Sequence, residues 1–143
     1  MTDLTLRYLS RADVESLAIP MEEVIDAVAS ALREKGEGTA EMPPKPGVHP
    51  RPDAFIHAMP AFLSRAEAAG LKWVSGFPQN LEGGLPYISG LFVLNDVETG
   101  FPLAVMDCTW ITGMRTGAAS AVAARAFLAS SRSSKWIVFV PRI

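Results

Sequence analysis

The chain has 143 residues and a mass of 15.4 kDa, about the size at which compact single domains are commonest. With 49% hydrophobic residues, 20% charged residues and a net charge of −2, it is not a disordered polyelectrolyte, and it lacks the basic character of most nucleic-acid-binding proteins. Its single cysteine, Cys108, excludes an intrachain disulfide, and no Cys/His set predicts a metal site. No segment approaches the roughly 20 apolar residues that span a bilayer. We therefore expect a cytoplasmic protein without a membrane or nucleic-acid partner.

The N-terminal third predicts two helices followed by a loop. Ser10 and the acid three residues later resemble a capping box, which predicts a short helix from Arg11 to Leu17. Pro20 suits the start of a second helix, whose apolar residues recur at helical spacing until Gly36, the predicted stop. The segment from Gly36 to Asp53 contains five prolines, so we predict an extended, ordered loop there.

From Ala54 onwards, short apolar runs separated by Gly and Pro predict strands: AFIHAM, LKWVS, YISGLFVLN and FPLAVMD. Asp96 to Gly100, which is rich in turn-forming residues, predicts a hairpin between the last two runs. Both faces of this hairpin are apolar, so the sheet needs cover on two sides. The predicted helix from Cys108 to Ala129 supplies part of it and a second subunit the rest, which predicts a homodimer. The predicted fold class is α+β, with helices packed on a mostly antiparallel sheet.

Arg115 is the most informative residue of the predicted C-terminal helix. It lies on an apolar stripe of that helix, so we expect its guanidinium to be partly buried. Burial of this charge requires an anion, and the planar fork of arginine matches a carboxylate. The anion is either a ligand or an internal acid such as Asp96 or Asp107, and the sequence pattern leaves both open.

Three further residues are candidates for a binding site. Lys72 interrupts an apolar strand, so it either emerges at a sheet edge or places a positive charge inside a pocket. Lys45 lies within the rigid run Pro43–Pro46 and is, taken alone, a solvated loop charge or a fixed cation. His57 lies in a predicted strand and is either a packed residue or part of a site. His49 is the only other histidine, which argues against a metal site.

Several ordered motifs together resemble the ornithine cyclodeaminase/mu-crystallin family, over about residues 9–129. The motifs are Met42–Lys45, His57–Ala61, Gly70–Val74, Pro78–Asn80, Gly84–Pro86, Asp96–Ala104 and Ile111–Ala121. The members of this family are NAD(P)-dependent enzymes of more than twice this length. In them, a substrate-binding and dimerisation domain carries a Rossmann domain. The resemblance implies that residues 1–129 form the former, with no Rossmann domain in this chain. Residues 130–143 would be a truncated linker and first strand, Trp136 to Val140, of the NAD(P)-binding domain.

The resemblance also implies roles for particular residues. Lys45, Lys72 and Arg115 would clamp the carboxylate of an amino or imino acid, which supplies an anion for Arg115. Arg115 would also border the nicotinamide of NAD or NADP, and Tyr87 stands at a cofactor-contacting position. His57 would contact the substrate, and it stands where ornithine cyclodeaminases carry an acid, which argues against ornithine. Catalytic residues proper are expected outside this chain.

The function implied is that of an NAD(P)-dependent enzyme acting on an amino or imino acid. Related members convert ornithine to proline and ammonia, reduce ketimines or imino acids, or interconvert 2-oxo and 2-amino acids. This chain alone is expected to be inactive. The alternative is a cofactor-free module for carboxylate binding or dimerisation.

Overall fold

The structure is a computed structural model that describes residues 5–131. Its helices and strands, in chain order, are β1 Arg7–Leu9, α1 Arg11–Ser16, α2 Met21–Glu37, β2 Ala40–Glu41, β3 Gly47–Val48, β4 Phe55–Leu63, β5 Ala68–Gly76, β6 Ile88–Asn95, β7 Pro102–Asp107 and α3 Thr109–Ser131. A 3₁₀ segment, Pro78–Gly83, lies between β5 and β6. The predicted α+β class is confirmed.

The strands form one mixed sheet in the order β1-β7-β6-β5-β4-β2, and β3 also pairs with β4. Every pair is antiparallel except β1 with β7, because the long strands follow one another through short connections. The predicted hairpin β6–β7 is confirmed. In its turn the Asp96 carboxylate accepts hydrogen bonds from the backbone N–H and the hydroxyl of Thr99. The short strand β1 was not predicted, because its pairing with β7 is not local.

The helix boundaries follow from their caps, with one correction. At α1, Ser10 and Asp13 form a complete capping box, as predicted. Helix α2 does not stop at Gly36. It continues to Glu37, and Gly38 ends it in the left-handed conformation with φ 76°. Gly36 is therefore an interior helical residue. The sequence could not distinguish the two glycines, because both residues suit a helix end and only the backbone conformation shows which one forms the cap.

The proline-rich segment after α2 is extended, as predicted. It contains β2 and β3, two residues each, and both pair with β4. The backbone N–H of Ala58 also donates to the carbonyl of Pro46, 3.0 Å away. The sheet therefore fixes the loop that carries Lys45.

The two faces of the sheet differ. On one face Lys72, Val74 and Ala104 are buried. Helix α3 passes over this side and packs mainly against α2, and Cys108, the residue before its first turn, is fully buried. The opposite face carries Trp73, which is 47% exposed, and its cross-strand partner Leu91. No described element covers this second face, which we call the open face.

Helix α3 runs to Ser131, two residues past its predicted end. The predicted strand Trp136 to Val140 lies outside the described residues. Within the described part of the chain, no helix combines the length and the apolar character that crossing a membrane requires.

Candidate carboxylate-binding site

A cavity of about 540 Å³ lies between the helix-covered face of the sheet, the first turns of α3 and the proline-rich segment. Its charged lining residues are Lys45, Lys72 and Arg115. The remaining lining residues are apolar except for one hydroxyl: Met42, Pro43, Pro44, Met59, Pro60, Ala61, Phe92, Ile111 and Thr112. Three sequence segments far apart in the chain therefore each bring one cation to a single apolar space.

Lys72 lies inside the cavity and not at a sheet edge. It is in β5, the central partner of β4 and β6, and its side chain is 9% exposed. Burial lowers the pKa of Lys72 below that of an ordinary lysine, and the positive charges of Arg115 and Lys45 lower it further. Of the two alternatives for this residue, the structure favours the fixed charge in a pocket.

Arg115 is exposed, contrary to the expectation that it is partly buried. On α3 the fully buried residue near it is Ala118, and Arg115 lies where the helix surface turns away from the packed layer. It lines the mouth of the cavity from α3, together with Ile111 and Thr112. A long side chain at such a rim keeps its guanidinium in water.

The internal acids that could have paired with Arg115 are engaged elsewhere. Asp96 holds the β6–β7 turn, and Asp107 accepts hydrogen bonds from the backbone N–H and hydroxyl of Thr109 at the start of α3. Among the described residues, none of the three cavity cations forms a salt bridge. The structure therefore does not support the internal ion pair, and the cations remain available to an anionic ligand.

His57 and Tyr87 do not line the cavity. His57 lies on the same strand face as Met59, stacked on Phe55 with ring centroids 4.4 Å apart and edge-on to His49 at 6.0 Å. Burial lowers the pKa of His57, and the positive charges of Lys45 and His49 lower it further, which favours the neutral imidazole. Tyr87 is 41% exposed, and its carbonyl accepts a hydrogen bond from the N–H of Phe77.

Sequence reasoning missed the apolar wall of the site, above all Met59 and Phe92. Both residues lie directly opposite Lys72, in the cross-strand row Met59–Lys72–Phe92. Directly paired residues of an antiparallel sheet share a face. Strand alternation indicated which face each side chain takes, but the register that aligns the three strands was not readable from the sequence.

The arrangement can bind a small organic acid. The three cations offer charge-assisted hydrogen bonds to a carboxylate, and arginine can make two in parallel. An apolar wall beside them suits the rest of such a molecule, since pockets commonly combine apolar walls with a few placed polar groups.

The described residues do not fit a complete metal or dinucleotide site. They contain no group of His, Cys, Asp or Glu suited to hold a metal ion. A dinucleotide fold places the pyrophosphate on a helix N-terminus after a glycine-rich turn. Here the residues that lead from β7 into α3, Asp107-Cys108-Thr109, contain no glycine, and the backbone N–H of Thr109, the first residue of α3, donates to the Asp107 carboxylate.

Comparisons with known proteins identify the family of the chain. A sequence profile of the ornithine cyclodeaminase/mu-crystallin family matches residues 6–140. The alanine dehydrogenase of Archaeoglobus fulgidus is 48% identical over 126 residues, which are 88% of this chain and 38% of that protein. The chain thus spans well under half the length of this relative.

Two solved structures show the same fold. An archaeal alanine dehydrogenase dimer with bound NAD has a TM-score of 0.74 and 47% identity, over 80% of this chain and 34% of that one. The Δ1-pyrroline-2-carboxylate reductase of Thermococcus litoralis, in complex with NADH and L-proline, has a TM-score of 0.76 and 44% identity, over 80% and 35%. These relatives show that the family uses NAD(P). By profile, identity and fold, the chain belongs to the ornithine cyclodeaminase/mu-crystallin family.

Proposed function

We propose that this chain binds the carboxylate of a small amino, imino or 2-oxo acid through Lys45, Lys72 and Arg115. It would act as the substrate-binding and dimerisation part, residues 1–129, of a cytoplasmic NAD(P)-dependent enzyme. The observation that carries this proposal is the convergence of three cations, without a carboxylate partner among the described residues, on one apolar cavity.

The three cations have different physical parts in the proposed binding. Lys72 is held by strand pairing on both sides, so it provides a fixed, desolvated charge whose attraction to a carboxylate is strong. Arg115 at the mouth adds a planar guanidinium that orients the carboxylate. Lys45 adds the third positive charge from a backbone that its neighbouring prolines make rigid. Such positioning holds the α-carbon of the ligand in one place, which is what a reaction at that carbon requires.

Hydride transfer at that carbon is the chemistry that a nicotinamide supplies when bound. Arg115 and Tyr87, which are both exposed, are proposed as contacts to the nicotinamide. The reaction class proposed is amino-acid cyclodeamination or reduction of an imino or 2-oxo acid. The 143-residue chain alone is not expected to turn over substrate.

The test is titration calorimetry with L-proline and with pyruvate, on the wild-type chain and two arginine variants. Arg115→Ala should weaken binding of both acids by about tenfold or more, the value of a charge-assisted hydrogen bond. Arg125→Ala is the matched control. Arg125 lies on the same helix outside the cavity, 3.7 Å from Asp26, and its removal should leave binding unchanged. Equal effects of the two substitutions, or no binding by the wild type, would contradict the proposal.

A second candidate is a module that binds carboxylates without a cofactor, and it is favoured by the start of α3, where Asp107 already holds the N-terminal N–H. Titration of the same chain with millimolar NADH separates the two candidates, because the enzyme part would keep the proposed nicotinamide contacts Arg115 and Tyr87 even without a complete dinucleotide site. Weak binding of NADH that Tyr87→Ala weakens further favours the enzyme part. Carboxylate binding that Arg115→Ala weakens, without any NADH binding at this concentration, favours the module.

A further inference from the structure

The cavity wall next to Lys72 is apolar, and this wall would contact the side chain of a ligand whose carboxylate binds the cations. Met59 and Phe92 are the cross-strand partners of Lys72, one on each neighbouring strand. All three side chains line the cavity, and Ile111 faces them from α3. A carboxylate drawn to Lys72 and Arg115 therefore places the rest of its molecule against thioether and aromatic surface.

The charges of the cavity wall are all positive. Among the described residues, no acid lines the cavity. Glu41 precedes the lining residue Met42 in the chain. It pairs with Phe62, which pairs with Ala69 on the same face as Trp73, so Glu41 lies on the open face of the sheet. Asp107, in register with Leu91 and thus with Trp73, is also on that face. A second ammonium on the ligand would meet three cations and no partner in a space of low dielectric constant.

We infer that Met59 and Phe92 form a side-chain subsite that determines specificity, accepting a short uncharged side chain and rejecting one that ends in an ammonium. This inference rests on the proposed carboxylate binding. It assigns to Met59 and Phe92 the choice among amino acids that all share the carboxylate.

Two ligands of nearly the same shape separate charge from size. L-norvaline has the carbon chain of L-ornithine and lacks its terminal ammonium. Calorimetry on the 143-residue chain at low salt should show that L-norvaline binds about tenfold or more tightly than L-ornithine. Arg115→Ala should weaken binding of L-norvaline by about tenfold or more, which ties the signal to this cavity.

The decisive variants are Met59→Glu and Met59→Gln, which introduce side chains of the same shape with and without a charge. Met59→Glu should reverse the preference in favour of L-ornithine, and Met59→Gln should keep the preference for L-norvaline. Because both variants place a polar group at the same position, a folding defect would affect both, and thermal unfolding of each variant checks this. Phe92→Leu, which keeps the wall apolar, should also keep the preference.

The outcomes distinguish this inference from the proposed function. Equal affinity for the two amino acids in the wild type, with binding of both still weakened in Arg115→Ala, overturns the subsite and leaves the carboxylate site standing. An unchanged preference in a folded Met59→Glu chain overturns the role of Met59. No binding of either amino acid overturns the subsite together with the carboxylate site.

Discussion

Lys72 shows how a single residue acquires its function from its surroundings. The sequence predicted a cation within an apolar strand but not whether it emerges at an edge. In the structure β5 has a long partner on each side, so Lys72 has no edge to reach. Its ammonium is desolvated and repelled by two other cations, which disfavours the charged form. An isolated lysine in such a place lowers stability, and the proposed binding of an anion would offset this cost.

This cost is measurable as a function of pH. Because the pKa of Lys72 is lower in the folded state than in the unfolded state, the unfolded state binds more protons between the two values, and the free energy of unfolding rises with pH across that interval. Below the folded pKa the full penalty remains. Lys72→Met should therefore raise the free energy of unfolding at neutral pH by about 1 kcal/mol, and this gain should shrink as the pH rises through the folded pKa.

The measurement is urea unfolding at a series of pH values, with Lys35→Met as control. Lys35 is exposed in the last turn of α2, and its replacement should change stability by no more than about 0.5 kcal/mol. The same Lys72→Met variant should lose affinity for L-proline. A variant that is less stable than the wild type at neutral pH would show that Lys72 has an internal partner, contrary to this account.

At the scale of elements, the C-terminal end of α2 shows that two residues of the same type can adopt different backbone conformations. Gly36 and Gly38 are both glycines and lie two positions apart. Only Gly38 has a positive φ, and its N–H donates to the carbonyl of Lys35. Neither glycine has a heavy atom within 4 Å of the place where a Cβ would stand, so sterics outside the helix do not enter. The difference between them is backbone conformation alone.

Alanine substitutions at the two glycines should therefore have opposite effects. Gly36→Ala should stabilise the chain by up to about 1 kcal/mol, because alanine is the better helix former. Gly38→Ala should destabilise it by about 1 kcal/mol, because a Cβ is strained at positive φ. Thermal or urea unfolding of the two variants side by side checks this. Effects of the same sign would contradict the assignment of Gly36 to the helix interior and Gly38 to the cap.

The elements were otherwise largely predictable, for local reasons. The capping box of α1 and the β6–β7 turn are made by residues three positions apart, so their signals survive without tertiary context. The strands β1, β2 and β3 were not predicted as strands. They have two or three residues each, and only pairing with β7 or β4 holds them extended.

The whole molecule has an apolar surface that its own elements leave uncovered. The open face carries Tyr8, Trp73 and Leu91, all partly or largely exposed. Exposed apolar surface of this kind favours association with a complementary surface, and a second copy of the chain supplies one by symmetry. We therefore propose a homodimer through the open face, as the two apolar sides of the hairpin led us to expect.

Sedimentation velocity at micromolar concentration should show a dimer for the wild type and a monomer for Trp73→Glu. Trp73 is half-exposed in the single chain, so its loss should affect association more than folding. Leu17→Lys is the control: Leu17 is 63% exposed at the end of α1, away from the open face, and this variant should remain dimeric. A monomeric wild type would refute the proposal.

The sequence by itself determined the fold class, the long strands and their hairpin, the cap of α1 and the candidate cations. Its ordered motifs resembled the ornithine cyclodeaminase/mu-crystallin family, and the comparisons confirmed membership. These features depend on local spacing or on side-chain type, both of which are written in the chain. Only the tertiary structure decided that Lys45, Lys72 and Arg115 share one cavity, that Arg115 is exposed, and that Met59 and Phe92 lie on either side of Lys72. Each of these depends on strand register and on the placement of α3 over the sheet, and such long-range contacts leave no local pattern.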